Sequence, residues 1–269
     1  MGMSLTGQAQ AVAEAFVAAR REARALESYP GERPQDLAGA YRIQDSAIAI
    51  DGRMIAGWKV GRINSPAAER LGANRLAGPI FAETVVSMSA GELPDMAVFA
   101  GGFAAAEAEM VCHVAAGWDG SVPTSDAETR AVLDDLRLGM EIASSPYPGI
   151  NADGPAVTTS DYGNNAGLVL GASLAGWREI DLCAIPVRTV IDGAVAGEAT
   201  AATMLDGPYG AVRFLLANLA GRGIDASGGL WVSTGAITGV HSVTPGQHVS
   251  AEFAGHGSVQ CRIVAASGR

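Results

Sequence analysis

The sequence predicts an α+β fold built on mixed β-sheets. Three observations carry this. Strand-like runs dominate the chain after residue 53. Their helices do not interleave regularly with them, which disfavours a doubly wound sheet. Amphipathic helical periodicity is concentrated near the N-terminus. The organisation expected is therefore a helical N-terminal unit over residues 1–52 and a strand-rich domain over residues 53–269.

The elements follow in order. A helix is expected over 6–26, where Ala9, Val12, Ala13, Phe16 and Val17 form a stripe and Arg20, Arg21 and Arg24 gather toward the C-terminal end. Tyr29-Pro30-Gly31 stops it. A second helix is expected over 36–50, with Asp36 as N-cap and a turn at Asp51-Gly52. Residues 54–60 read as a buried strand. Ser65-Pro66 reads as an N-cap followed by proline at the first helical position, opening a short helix to Leu71. Residues 103–114 alternate as a long strand, 125–135 read as a helix and 136–143 as another strand. A strand over 185–191 leads into Asp192-Gly193, a strong hairpin signal. A helix over 208–219 and strands over 230–234, 249–253 and 258–264 complete the chain.

Composition excludes several classes. Of 269 residues 48% are apolar and only 17% charged, against roughly 25% in an average domain, so the chain is not disordered. The 35 glycines show no three-residue period, which excludes collagen and points to turns. A formal net charge of −10 makes nucleic acid and anionic membrane surfaces poor partners. No signal peptide or membrane span is expected. Cys112, Cys183 and Cys261 lie far apart, which suits reduced thiols and a cytoplasmic location.

Two features carry chemistry. Lys59 is the only lysine among 18 basic residues, within Gly57-Trp58-Lys59-Val60-Gly61. Lysine can exchange its proton where arginine cannot, so proton transfer and imine formation are both open, beside a lysine that simply remains. In the alternating strand, Glu107 and Glu109 project from one face, and Glu141 sits inside a second apolar strand. Three carboxylates suit a hard divalent ion such as Mg²⁺ or Mn²⁺, although Glu-x-Glu alone also fits a solvated sheet face. There is no His-Glu-x-x-His, no P-loop, no Gly-x-Ser-x-Gly and no dinucleotide-binding glycine fingerprint.

These pieces, in this order, resemble the 2-keto-4-pentenoate hydratase family, a branch of the fumarylacetoacetase superfamily that includes 2-hydroxypenta-2,4-dienoate hydratase and 4-oxalocrotonate decarboxylase. The matching stretches are Ala40–Asp45, Gly57–Gly61, Phe81-Ala82-Glu83, Glu107-Ala108-Glu109, Gly139-Met140-Glu141, Asn165-Ala166-Gly167, Thr234–Thr238 and Pro245–Val249. The resemblance covers the chain from about residue 10 to residue 264. The resemblance implies a fumarylacetoacetase-like mixed β-sheet roll over 53–269 and a homo-oligomer. It implies Mg²⁺ or Mn²⁺ held by Glu107, Glu109 and Glu141, with Lys59 and Glu83 catalytic. Asn165, Thr234 and Gly235 are the implied substrate-binding residues.

The implied activity is hydration of a 2-hydroxy-2,4-dienoate, through its 2-oxo tautomer, to a 4-hydroxy-2-oxo acid. The ligand is a small 2-oxo or 2-hydroxydienoic acid of aromatic-compound catabolism. Decarboxylation of a 2-oxo acid is the alternative, followed by C–C hydrolysis and by a non-catalytic partner subunit. Three departures fall beside the expected pocket. Glu83 stands where relatives carry Asp, Gly163-Asn164-Asn165-Ala166-Gly167 lacks the usual Asp and Ser, and the segment 144–159 is long and rich in Pro and Gly.

Overall fold

The computed structural model describes residues 5–268. The chain begins with helices α1 (Leu5–Arg21) and α2 (Leu37–Asp51), then β1 (Ile55–Arg62), α3 (Ala67–Leu71), β2 (Arg75–Phe81), β3 (Val85–Ser87) and β4 (Asp95–Val98). There follow β5 (Phe103–Val114), α4 (Asp126–Ala131), β6 (Leu133–Ser145), α5 (Pro155–Ser160) and β7 (Asn165–Ser173). The last third holds β8 (Pro186–Ile191), β9 (Ala194–Thr200), α6 (Gly207–Arg222), β10 (Leu230–Ser233), β11 (His241–Ser242), β12 (His248–Phe253) and β13 (Gly257–Ala265).

Two sheets form among the described residues. The larger has the order β2-β1-β10-β5-β6-β7-β3, with β11 also on β5; the smaller runs β4-β13-β12-β8-β9. Both are mixed: β1/β10, β3/β7 and β4/β13 are parallel and the other pairs antiparallel.

Local chemistry explains most boundaries. Asp36 caps α2 by accepting from Gly39 N at 2.6 Å, and Gly52 closes it in the left-handed region. Asp192 and Gly193, both at positive φ, make the β8–β9 hairpin turn. Three expectations shift. α1 ends at Arg21, because Ala23 turns left-handed well before Tyr29-Pro30-Gly31. Pro66, not Ser65, takes the cap position of α3, and no side chain caps it. α4 is short because β6 begins at Leu133, which pairs with Val114; the cross-strand ladder takes residues that local pattern gives to a helix.

Alternation along β5 decides what is core. Ala106, Ala108, Met110 and Cys112 enter the main apolar cluster with Trp58, Leu215 and Leu219. The odd-numbered side chains face away from that cluster. A second cluster joins Val12, Phe16 and Val17 of α1 to Ile43 of α2, Tyr147, Val157 and Tyr162. Burying a side chain such as Phe16 stabilises the fold by roughly 1.5–3 kcal/mol. The N-terminal helices are thereby fixed to the segment 144–162. No helix among the described residues is long and apolar enough to cross a membrane.

Candidate active site

Register assembles the glutamates. Glu107 and Glu141 are direct cross-strand partners on β5 and β6, so they share a face, and Glu109 lies opposite Gly139. One carboxylate oxygen from each of the three lies within 4.8 Å of the others. Glu109 and Glu141 are fully buried and Glu107 nearly so. Beside them Ile80, Val111, Leu168 and Leu170 form a small apolar cluster. Glu109 Oε2 accepts from the Ser233 hydroxyl and, at 2.9 Å, from Gly235 N. Glu109 Oε1 is buried with no hydrogen-bond partner among the described residues.

Lys59 reaches the same place from β1. It pairs in register with Ser233 of β10, which pairs in turn with Val111 of β5. Its Nζ lies 3.0 Å from Glu141 Oε2 and donates to Asn164 Oδ1 at 3.3 Å. Three carboxylates against one ammonium leave two uncompensated negative charges when all are ionised. Without a cation the cluster responds by holding protons. Burial pushes the Glu107 carboxyl up to about 7, opposed by Lys59 and reinforced by Glu141. Burial, then Glu141 and Glu107, raises Glu109 well above the usual carboxylate range. Burial works against the Lys59 ammonium, but Glu141, Glu107 and Glu109 outweigh it and raise its pKa. A doubly charged ion with oxygen preference fits this donor set: it matches the charge deficit and gives the orphaned Glu109 Oε1 a partner.

The cluster opens into a cavity of about 710 Å³, lined by Lys59, Glu107, Asn151, Thr158, Asn164, Thr234 and Gly235 among others. That volume suits a small ligand. Leu76, Met204, Leu205 and Ile237 supply apolar wall, and Arg62 and Arg75 line it too. The segment 144–159 forms part of this wall through Asn151, Pro155 and Thr158.

The expected residues separate in space. Lys59, Glu107, Glu109 and Glu141 converge. Thr234 and Gly235 line the cavity, but the Thr234 hydroxyl is given to Met110 O and the Gly235 N–H to Glu109, so these donors brace β5. Asn165 also turns to the carboxylates, donating from Nδ2 to Glu141 Oε1 at 2.9 Å. Its neighbour Asn164 lines the cavity instead, held by donation to Asn151 Oδ1 at 3.0 Å. Glu83 is not brought to the cavity. It sits in the short turn after β2, 41% exposed, paired with Arg53 at 3.1 Å. Sequence reading missed Asn164, Asn151 and Ser233. Only the position of Asn164 beside the expected Asn165 hints at one of them.

Backbone shape presents Asn164. Tyr162, Gly163 and Asn164 are three consecutive residues at φ of 56°, 59° and 59°. A non-glycine residue held there costs roughly 1–3 kcal/mol, so surrounding contacts must hold it. Gly78 of β2 lets the turn approach, since a Cβ there would meet Tyr162 O at 2.0 Å.

No family model matches the chain. Over 134 residues it is 28% identical to 4-oxalocrotonate decarboxylase of Pseudomonas putida and 27% identical to that of Pseudomonas sp. (strain CF600). Each match covers 50% of this chain, and the chain spans about half the length of these curated relatives. Among solved structures, 4-oxalocrotonate decarboxylase from Pseudomonas putida G7, complexed with magnesium and adipate, superposes with a TM-score of 0.80 at 22% identity, covering 98% of this chain and 99% of that one. Fumarylpyruvate hydrolase from Pseudomonas aeruginosa, in complex with Mn²⁺ and pyruvate, gives 0.57 at 16% identity, covering 79% and 91%. The fold is therefore fumarylacetoacetase-like, the fold this chain shares with these solved structures. Within it the similarity lies with the branch that contains 4-oxalocrotonate decarboxylase, the branch the sequence motifs resemble.

Proposed function

We propose that this chain is a divalent-metal-dependent lyase acting on a small 2-oxo acid, and that its reaction is decarboxylation. The observation that carries the metal-dependent reading is the buried Glu107–Glu109–Glu141 cluster, two charges short of balance, with Lys59 in contact. Glu107, Glu109 and Glu141 would hold Mg²⁺ or Mn²⁺. When bound, such an ion supplies a Lewis acid toward the carboxylate and 2-oxo oxygens of a substrate.

The chain's own groups do the rest. Leu76, Met204 and Ile237 set apolar surface on the cavity wall against which the carbon chain of a substrate would pack. In the reaction, the bond from a second carboxylate to the saturated carbon next to the enone breaks, CO₂ leaves, and the electron pair of that bond passes through the enone to the 2-oxo oxygen, giving a dienolate that then takes a proton on carbon. Lys59 Nζ is the proton source beside that enolate, and Asn164 Oδ1 orients it. Glu109, fixed by Ser233 and Gly235, and Glu141, fixed by Asn165, keep the ligand oxygens in place.

Hydration passes through the same kind of enolate and is the second reading. It also needs an acid or base at the carbon that takes water. Glu83, the residue expected for that task, pairs with Arg53 outside the cavity, and the relatives matched over half the chain are decarboxylases. A C–C hydrolase is less well supported, because no histidine lines the cavity among the described residues. A cytoplasmic setting and self-association belong to the proposal. The buried free thiols support the first, and the exposed apolar Val195, Leu205 and Val240 support the second.

The test is turnover of 2-oxo-3-enoic and 2-hydroxy-2,4-dienoic acids, with and without a second carboxylate, in Mg²⁺ or Mn²⁺. Ultraviolet absorbance and CO₂ release are followed together. Metal-dependent CO₂ release is expected. Loss of absorbance with water gained and no CO₂ would establish hydration, and no turnover in either metal would refute the enzymatic reading.

A further inference from the structure

We infer that Arg20 of α1, clamped on Asp161, is a positioning residue for the active site: it holds both ends of the left-handed turn that sets Asn164 against Lys59 and Asn165 against Glu141. Arg20 lies 141 residues from Asp161 in sequence and is not among the residues that line the cavity of the proposed active site. Its role as a positioning residue rests on the proposed function for its kinetic readout alone.

Arg20 uses its whole guanidinium. Nε donates to Asp161 Oδ1 at 2.6 Å and a terminal nitrogen to Asp161 Oδ2 at 2.9 Å, a two-pronged pair buried on both sides. The other terminal nitrogen donates to Asn165 O at 3.1 Å. A further bond, also 3.1 Å, goes to Ser144 O on β6, three residues beyond Glu141. The guanidinium also lies 4.9 Å from the centre of the Tyr162 ring.

One side chain therefore ties the residue before the turn, the residue after it, the first residue within it and the strand carrying Glu141. Between those ties lie Tyr162, Gly163 and Asn164, all at positive φ. Such a conformation persists only where the surroundings over-determine it. Gly163 also packs on Lys59, since a Cβ there would meet Lys59 Cδ at 3.0 Å, so a shift of the turn is felt by the amine directly. A merely structural ion pair would need only opposite charges or matching apolar volume. This one needs a planar fork, because five acceptors on two segments, the Asp161 carbonyl oxygen at 3.4 Å among them, are met by one group.

The experiment compares wild type with Arg20→Lys, which keeps the charge and loses the fork, and with Arg20→Met/Asp161→Leu, which replaces the pair by apolar volume. Buried pairs replaced in that way commonly keep their fold. At saturating Mg²⁺ we expect kcat to fall by about 30-fold or more in both while KM stays within about threefold, since a misplacement of ~1 Å costs on the order of 10²-fold. Because Lys59 is the only lysine, ¹⁵N-lysine labelling gives a single Nζ resonance that reports its surroundings without any turnover. That resonance should move or vanish by exchange in both variants. If the double variant fails to fold, Arg20→Lys decides the matter. A kcat within threefold of wild type together with an unmoved Nζ resonance overturns the inference. If wild type turns over no 2-oxo acid, the proposed function fails and the Nζ resonance alone decides: moved supports the positioning role, unmoved overturns it.

Discussion

Replacing Glu109 by glutamine removes one charge from the cluster while keeping its shape. In the metal-free protein the three carboxylates lie within 4.8 Å of one another, away from water. At an effective dielectric constant of about 20, a fully ionised pair at that separation repels by roughly 3–4 kcal/mol, an upper bound because protonation relieves part of it. The glutamine carbonyl can accept the bonds from Ser233 and Gly235, and its amide can point at the neighbouring carboxylates. Glu109→Gln should therefore be more stable than wild type in EDTA at pH 8, by about 1–3 kcal/mol after that relief. The pH dependence has a definite sign. Burial pushes the Glu107 carboxyl up to about 7 in the folded protein and holds Glu109 well above the usual carboxylate range, against 4.5 for an unperturbed glutamate, so the native state binds more protons in the window as the pH rises from 4.5 through 7. Metal-free wild type should lose stability as pH rises through it, and the variant should lose less. With Mg²⁺ the order reverses. At a hundredfold excess over Kd a ligand stabilises by about 2.7 kcal/mol, which is about 5–10 °C in Tm for a chain of this size. Wild type should show that shift and Glu109→Gln should lose most of it. Thermal unfolding in EDTA and in Mg²⁺ from pH 5 to 8.5 checks both halves. A variant that is less stable in EDTA yet keeps the full Mg²⁺ shift would refute the metal site.

Lys59→Arg should keep the Mg²⁺-induced rise in Tm but lose about 10²-fold or more in kcat, read by steady-state kinetics. Its guanidinium must crowd Gly163 and cannot serve as a proton donor near neutral pH, and unchanged activity would remove the amine from the reaction. Glu83→Gln should leave kcat/KM within about threefold, because its carboxylate pairs with Arg53 on the outside; a loss above about tenfold would return it to the chemistry. At pH 8 a thiol reagent should modify Cys183 in the native protein and reach Cys112 and Cys261 only on unfolding, counted by mass spectrometry. Burial pushes the thiols of both Cys112 and Cys261 up to about 12. Their contribution to stability is thus full below pH 9 and declines as pH rises toward 12, because the folded chain keeps protons that the unfolded chain loses.

Part of the site is legible in the sequence. Glu107 and Glu109 share a face because a strand has a period of two, and that period is local. Lys59 stands out by count alone. The Asp36 cap and the Asp192-Gly193 turn follow from short-range chemistry as well. The placement of Glu83 does not, since its distance from the cavity depends on how the turn after β2 meets Arg53, thirty residues earlier. Nor does the exchange of roles between Asn164 and Asn165, because a stretch of positive φ turns the first into the cavity and the second toward Glu141.

The amino-acid sequence by itself determined which side chains have the right chemistry and which face of each strand they occupy. The tertiary structure alone decided that Glu141 stands opposite Glu107, that Ser233 and Gly235 brace Glu109, and that Arg20 grips the turn carrying Asn164. The reason is one of range. Pleat, cap and turn are fixed by bonds among neighbours a few residues apart. Register and long-range clamps are chosen by burial across the whole sheet, where contacts join segments from 34 to 141 residues apart.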